Sequence, residues 1–184
     1  MRRLTITALA LLSALALGAC GDKSHHVLHG ATEGVYLDLG ELKYQVQISR
    51  ILNPADPEDK AYLVGLQGGD TKLPAGQEWF AVFMRVQNET STAKQAANDY
   101  TITDTQGTKF RPAQFGPDNV FAYRGGRIGP HALIPVADSP PAETTIQGSL
   151  LLFKIPTVNL ENRPLELSIR APGVTDIATV DLDV

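Results

Sequence analysis

The sequence predicts an all-β protein: an immunoglobulin-like antiparallel β-sandwich of about seven strands, preceded by a leader and a flexible tether. Three observations carry that prediction. Apolar residues recur with period two in one run after another from residue 35 onward. Prolines and glycines cluster between the runs, and no stretch after the leader combines helical apolar spacing with caps. The composition agrees, since 184 residues with 43% hydrophobic and 20% charged side chains suit one globular domain rather than a disordered or fibrous chain.

The leader comes first. Arg2 and Arg3 precede an almost wholly apolar stretch from Leu4 to Leu17, and the small residues Gly18 and Ala19 follow. This is the tripartite pattern of a secretory signal peptide, and the apolar stretch is short for a bilayer span of about 20 residues. Leu17-Gly18-Ala19-Cys20 resembles the lipobox of bacterial lipoproteins. That resemblance implies cleavage before Cys20 and lipidation of its thiol, so that residues 1–19 are the signal peptide and the lipid at Cys20 anchors the chain to the membrane. Cys20 is the one cysteine, which excludes an intrachain disulfide. Removing Arg2 and Arg3 with the leader takes the formal charge from −4 to −6. An acidic chain has no general electrostatic attraction for nucleic acid, so no nucleic-acid partner is expected.

Residues 20–34 read as the lipidated tether, polar and glycine-containing, and residues 35–184 as the sandwich. Leu42, Tyr44, Val46 and Ile48 alternate with polar residues as a half-buried strand. Phe80, Val82, Met84 and Val86 alternate with the more apolar row Ala81, Phe83 and Arg85, which predicts a central strand covered on both faces. Tyr100 to Thr105 is rich in β-branched residues, and Gln106-Gly107 turns it toward Lys109-Phe110. Ile146 to Ile155 is stopped by Pro156. Leu165, Leu167 and Ile169 form the next strand, and Val180, Leu182 and Val184 the last. Tyr62 to Leu66 is expected as a further short strand. Trp79 lies just before a predicted strand, and without a cysteine pair the antibody-domain pattern is absent.

Three of these segments also carry a family resemblance. Glu78 to Thr90, Tyr100 to Phe110 and Gly148 to Pro156 resemble, in order, the central strand with its Asn-containing polar turn, the strand with glycine turn and aromatic, and the later "Phe-x-x-Pro" strand of a bacterial family of uncharacterised lipoprotein domains. That family is similar in fold to the telokin-like sandwich of a mycobacterial immunoprotective extracellular antigen. The resemblance implies a compact extracytoplasmic β-sandwich and brings no catalytic residues with it. The chain departs from the family pattern between Phe115 and Glu143.

Chemistry-bearing patterns are sparse. There is no Gly-x-Ser-x-Gly elbow, His-Glu-x-x-His, P-loop or EF-hand loop. His25, His26 and His29 fall in the tether, where a solvated tail accounts for them more simply than a metal site. His131 is the one histidine inside the domain; a loop residue is the simpler reading, and a serine–histidine–aspartate site around it is the alternative. Asp56, Glu58 and Asp59 read as a solvated acidic turn in preference to a calcium loop, because prolines restrict the segment. Asp181 and Asp183 are the wet face of the last strand. The segment Phe121 to Gly129 is the main candidate for binding. Arg124 and Arg127 around Gly125-Gly126 could present guanidinium forks to a carboxylate or phosphate with Tyr123 beside them, against the simpler reading of a connecting glycine loop.

The expectation is therefore a lipid-anchored protein on the extracytoplasmic face of a bacterial cell membrane, without cofactor or metal. It would act as a non-enzymatic binding or interaction module toward an envelope protein or the cell wall. The alternatives are an envelope enzyme or enzyme accessory subunit using His131 and the Arg124–Arg127 loop, or a passive spacer.

Overall fold

The computed structural model describes residues 26–68 and 71–182. The signal segment, Cys20, His25, Asp183 and Val184 lie outside the described residues. The elements run β1 (His29–Gly30), β2 (Leu37–Leu39), β3 (Leu42–Ile51), α1 (Pro57–Tyr62), β4 (Gln77–Gln87), β5 (Lys94–Gln95), β6 (Asp99–Thr103) and β7 (Lys109–Phe110). Then come β8 (Arg127–Ile128), β9 (Leu133–Ile134), α2 (Pro140–Glu143), β10 (Ser149–Pro156), α3 (Thr157–Leu160), β11 (Leu165–Arg170) and β12 (Ala178–Leu182). One sheet has the order β1-β12-β11-β6-β7 and the other β10-β4-β3-β2, with β9 pairing the end of β4. Strands run through Leu42 to Ile48, Phe80 to Val86, Tyr100 to Thr103, Ser149 to Ile155, Leu165 to Ile169 and Val180 to Leu182, where the alternation predicts them, and the all-β sandwich stands.

The inner faces follow from the period of two. Leu165, Leu167 and Ile169 of β11 and Tyr100 and Ile102 of β6 meet Phe80, Val82, Met84 and Val86 of β4 in the main core. β4 is apolar on its other face too, because Trp79, Ala81 and Phe83 join Leu150 and Leu152 of β10 in a second core on the outside of that sheet. Tyr62 and Leu63 cover it, with Leu66, Phe115 and Phe121 at its margin. This is why both rows of β4 are hydrophobic, and β4 lies between β10 and β3 as the sequence predicts.

Five expectations are corrected. Tyr62 to Leu66 is not a strand, since Tyr62 closes α1 and turns follow. Tyr62 at the end of the helix and Leu63 and Leu66 in the turns after it cover the second core. Asp56 caps this helix, accepting the N–H groups of Glu58 at 2.8 Å and Asp59 at 3.2 Å, with Pro57 in the first helical turn. The acidic segment is thus a helix start, and Asp59 is buried rather than solvated, its carboxylate bonded by Arg50 and by the Asn53 N–H at 2.7 Å.

The alternation in β3 also changes phase. Val46 faces Met84 but Ile48 faces Phe83, so Gln47 is an extra residue in a bulge. Ile48 is consequently exposed while Ser49 turns inward. Trp79 lies within β4 rather than before it.

The tether is shorter than expected, because the part from Val27 to Gly34 is joined to the sandwich. Asp38 accepts the Val27 N–H through its carboxylate at 3.0 Å, the Thr179 N–H donates to the Leu28 carbonyl at 2.8 Å, and the Gly34 N–H donates to Val46 at 2.9 Å. Here β1 pairs with β12 in parallel, the exception to an otherwise antiparallel pairing of the named strands. The β2–β3 turn is tight, with Gly40 and Glu41 both at positive φ (59° and 64°), as a two-residue hairpin of matching twist requires.

Candidate functional site

The arginine loop is built around the backbone of Ala97. Tyr123 donates its hydroxyl proton to the Ala97 carbonyl at 2.9 Å, and its ring meets Tyr100 edge-on at 5.1 Å between centroids. Burial pushes its hydroxyl well above the usual tyrosine range. Tyr123 is therefore committed to the fold. Gly125 passes so close that a Cβ there would lie 2.6 Å from the Ala97 carbonyl oxygen, and the Gly126 carbonyl accepts the Ala96 N–H at 2.8 Å. The glycine pair is thus where the loop docks. Arg124 is exposed and donates to the Gly116 carbonyl at 2.5 Å and the Asn119 carbonyl at 3.5 Å.

Tyr123, Arg124 and Gly125 share a hollow of about 210 Å³ with Asn98 and Gln114. Arg127, exposed in β8, does not line it. The two arginines therefore do not converge on that hollow. His131 is an exposed turn residue at φ 55°, its N–H directed at the Thr90 carbonyl at 3.3 Å. His29 shares a hydrogen bond with Thr179 at 2.9 Å through Nδ1, and His26 is exposed. Among the described residues, no three histidine, cysteine or acidic side chains are grouped as a metal would need.

A larger groove of about 870 Å³ lies beside the hollow, and Pro112, Ala113 and Gln114 border both. It forms where the chain leaves one sheet for the other. Lys109 and Phe110 pair with β6, whereas Pro112 bridges to Phe153 and the Ala113 N–H donates to the Leu152 carbonyl at 2.7 Å, on the free edge of β10. Facing this stretch are Leu66 to Gly68 and Lys72 to Pro74. They are held by the Gln67 N–H on the Gln114 carbonyl and by the Trp79 indole N–H, which donates to the Thr71 carbonyl, both at 2.9 Å. Trp79 and Lys154 are register partners on β4 and β10 and form the floor.

Four cations, Lys72, Lys109, Arg111 and Lys154, line this groove, and its described lining residues include no carboxylate. Leu66, Leu73 and Phe110 add half-buried apolar surface. Arg111 is paired with Asp99 at 2.6 Å, in an open position where its side chain is 71% exposed. Sequence reasoning missed the groove because its cations are scattered from residue 72 to 154, each within an ordinary solvent-facing pattern, and only the crossover between sheets assembles them.

The comparisons with known proteins identify the architecture. No family model matches the chain, and no curated protein matches it in sequence. Among solved structures, the yjhA protein of Bacillus subtilis superposes with a TM-score of 0.52 at 13% identity, over 83% of this chain and 99% of that one. The ycdA protein of Bacillus subtilis subsp. subtilis str. 168, designated provisionally as a lipoprotein, superposes with a TM-score of 0.50 at 13% identity, over 80% of this chain. The match spans 38% of ycdA, so this chain corresponds to little more than a third of that protein. At such identities the likeness is one of fold: the chain shares its fold with yjhA and with part of ycdA.

Proposed function

We propose that this protein is a non-enzymatic binding module of the bacterial cell envelope, anchored through a lipid at Cys20 and presenting the groove over Trp79 to a partner. The observation that carries the reading is the groove's position. β1, where the described chain begins, and β7, which lines the groove, are the two opposite edges of a five-stranded sheet. Four strand spacings of ~4.8 Å separate those edges by about 19 Å. An anchored chain entering at β1 would thus hold the groove at the sheet edge away from its entry point.

The leader pattern and the lipobox-like Leu17-Gly18-Ala19-Cys20 support the anchoring, as does the shared fold with ycdA. On this reading Arg124, in the hollow that adjoins the groove, contributes charge beside it rather than a separate site, and Arg127 belongs to neither. The test is a photo-crosslinking residue placed at Gln114 in cells. A specific adduct that disappears when the crosslinker is moved to the opposite edge at Thr32 supports the module. Equal, unselective adducts from both positions oppose it. Cys20→Ser should leave the precursor unprocessed or release the protein from membranes; unchanged mature mass and membrane retention would refute the anchor.

A further inference from the structure

The groove over Trp79 puts two chemistries side by side. In a chain of 20 acidic and 16 basic residues, a surface with four cations and no carboxylate among its described lining residues reverses the local sign of charge. Lys109 and Lys154 have no ion-pair partner among the described residues. The Arg111–Asp99 pair is open to water, where such pairs are weak and readily exchanged. Neighbouring like charges repel one another, and an anion laid among them relieves that repulsion.

Apolar side chains line the groove together with the cations: Leu73 and Phe110, both half-buried, and Trp79, of which 5% is exposed. A phosphate polymer would satisfy the cations and leave this apolar surface against a hydrophilic ligand. A simple hydrophobic ligand would do the reverse. A polypeptide with alternating acidic and apolar residues satisfies both, because successive side chains of an extended strand point to opposite sides. The groove is open and its volume lies within the usual range of ligand sites, about 300–1,000 Å³.

We infer that the groove lined by Lys109, Arg111 and Lys154 binds an extended acidic peptide segment of another protein and seats an apolar side chain between Leu73, Phe110 and Trp79. The inference rests on the module reading and names its ligand class. Carboxylates meet the cations, so the interaction is salt-sensitive.

Trp79 is the one tryptophan of the chain, so its emission reports on the groove. Full-length protein in detergent is titrated with an unlabelled nine-residue peptide of alternating glutamate and leucine. The expected result is a saturable change in Trp79 emission. Affinity should fall at least ~10-fold when glutamine replaces glutamate, when salt is raised to about 0.5 M, and in Lys109→Glu/Lys154→Glu protein of unchanged melting temperature.

Equal binding of the glutamine peptide, or by the double variant, overturns the inference. So does saturation by inorganic polyphosphate or phosphatidylglycerol vesicles where the peptide gives none. A Gln114 crosslink to a specific partner with no peptide response removes the acidic-peptide assignment and leaves the module standing; loss of both removes both.

Discussion

Tyr44 accepts the N–H of Ala97 on its phenolic oxygen at 2.8 Å, across 53 residues of chain. On the other side of the same residue, the Ala97 carbonyl receives Tyr123 at 2.9 Å and Tyr100 at 3.3 Å. Burial raises the Tyr44 hydroxyl to about 12, against the lowering effect of the Ala97 N–H, so the phenol stays neutral at physiological pH. The asymmetry is informative, since the carbonyl has two donors and the N–H has one acceptor. Tyr123→Phe should therefore cost only about 0.5–1.5 kcal/mol, with Tyr100 still in place. Tyr44→Phe leaves a buried N–H without a partner and should cost about 1–3 kcal/mol. Urea unfolding of the two variants decides it; a larger loss for Tyr123→Phe would contradict this arrangement.

The acid response should depend on Asp104. The side chain of Asn159 donates to its carboxylate at 2.8 Å and that of Asn162 at 3.1 Å, while the N–H groups of Thr108 and Gln106 donate at 2.8 and 3.0 Å. These bonds, that of Asn159 foremost, hold its pKa down at about 2, against about 3.9 for an unfolded aspartate. A carboxylate whose folded pKa is depressed stabilises the fold fully above the unfolded value. That contribution fades as pH falls from about 4 through 2. Asp104→Asn should be less stable at pH 7, and its deficit should shrink steadily between pH 4 and pH 2. Chemical unfolding at each pH checks this, and a deficit constant down to pH 2 would exclude the linkage.

The legible part of this fold is the part in which one face of a strand is buried. Leu165 to Ile169 alternates cleanly because Glu166 and Ser168 lie outside the main core, and β4 reads as central because Trp79 and Phe83 face a second core. What escaped the reading is what a tertiary contact decides. Ile48 is exposed because one inserted residue changes the phase, and β1 exists only because β12 offers it an edge. The α1 signature was present in Asp56-Pro57-Glu58, but six residues are too few for periodicity to outweigh a turn-like composition. Among the candidate site residues, Tyr123 and Arg124 were found near a hollow, while Lys109, Arg111 and Lys154 carried no local signal.

The Arg50–Asp59 pair fastens α1 over β3. Asp59 has 5% of its side chain exposed and Arg50 29%. Burial alone would raise the Asp59 carboxyl, but the Arg50 guanidinium and the Asn53 N–H outweigh it and hold the group charged. Asp59→Ala strips both donors of their acceptor and should cost about 2–3 kcal/mol, below the 3–5 of a fully buried pair because Arg50 reaches solvent. Arg50→Met should cost less, since Asp59 keeps the Asn53 N–H and can take up a proton. Thermal melts at pH 7 check the order. Raising the pH of measurement from 5 to 8 should leave the cost of Asp59→Ala unchanged, because the depressed carboxyl of the unsubstituted protein stays ionised throughout, whereas the cost of Arg50→Met should grow as the unpaired carboxyl loses its proton.

Gly125 and Gly126 are identical in sequence and opposite in surroundings. A Cβ on Gly125 would meet the Ala97 carbonyl oxygen at 2.6 Å and the Asn98 Cβ at 3.3 Å, whereas one on Gly126 would have nothing within 4 Å. The nearer obstacle at Gly125 is backbone, fixed by the tyrosines that hold Ala97, so the loop rather than its neighbour must move. Gly125→Ala should cost about 1–3 kcal/mol. Gly126→Ala meets no obstacle and sits outside the left-handed region, so the lower entropy of its unfolded chain should leave stability unchanged or raise it by up to about 1 kcal/mol. Equal destabilisation by both would mean that the pair is needed for backbone freedom rather than for close approach. If the two substitutions separate as expected, the glycine pair works as a docking point on Ala97, and Arg124 owes its place beside the hollow to that contact.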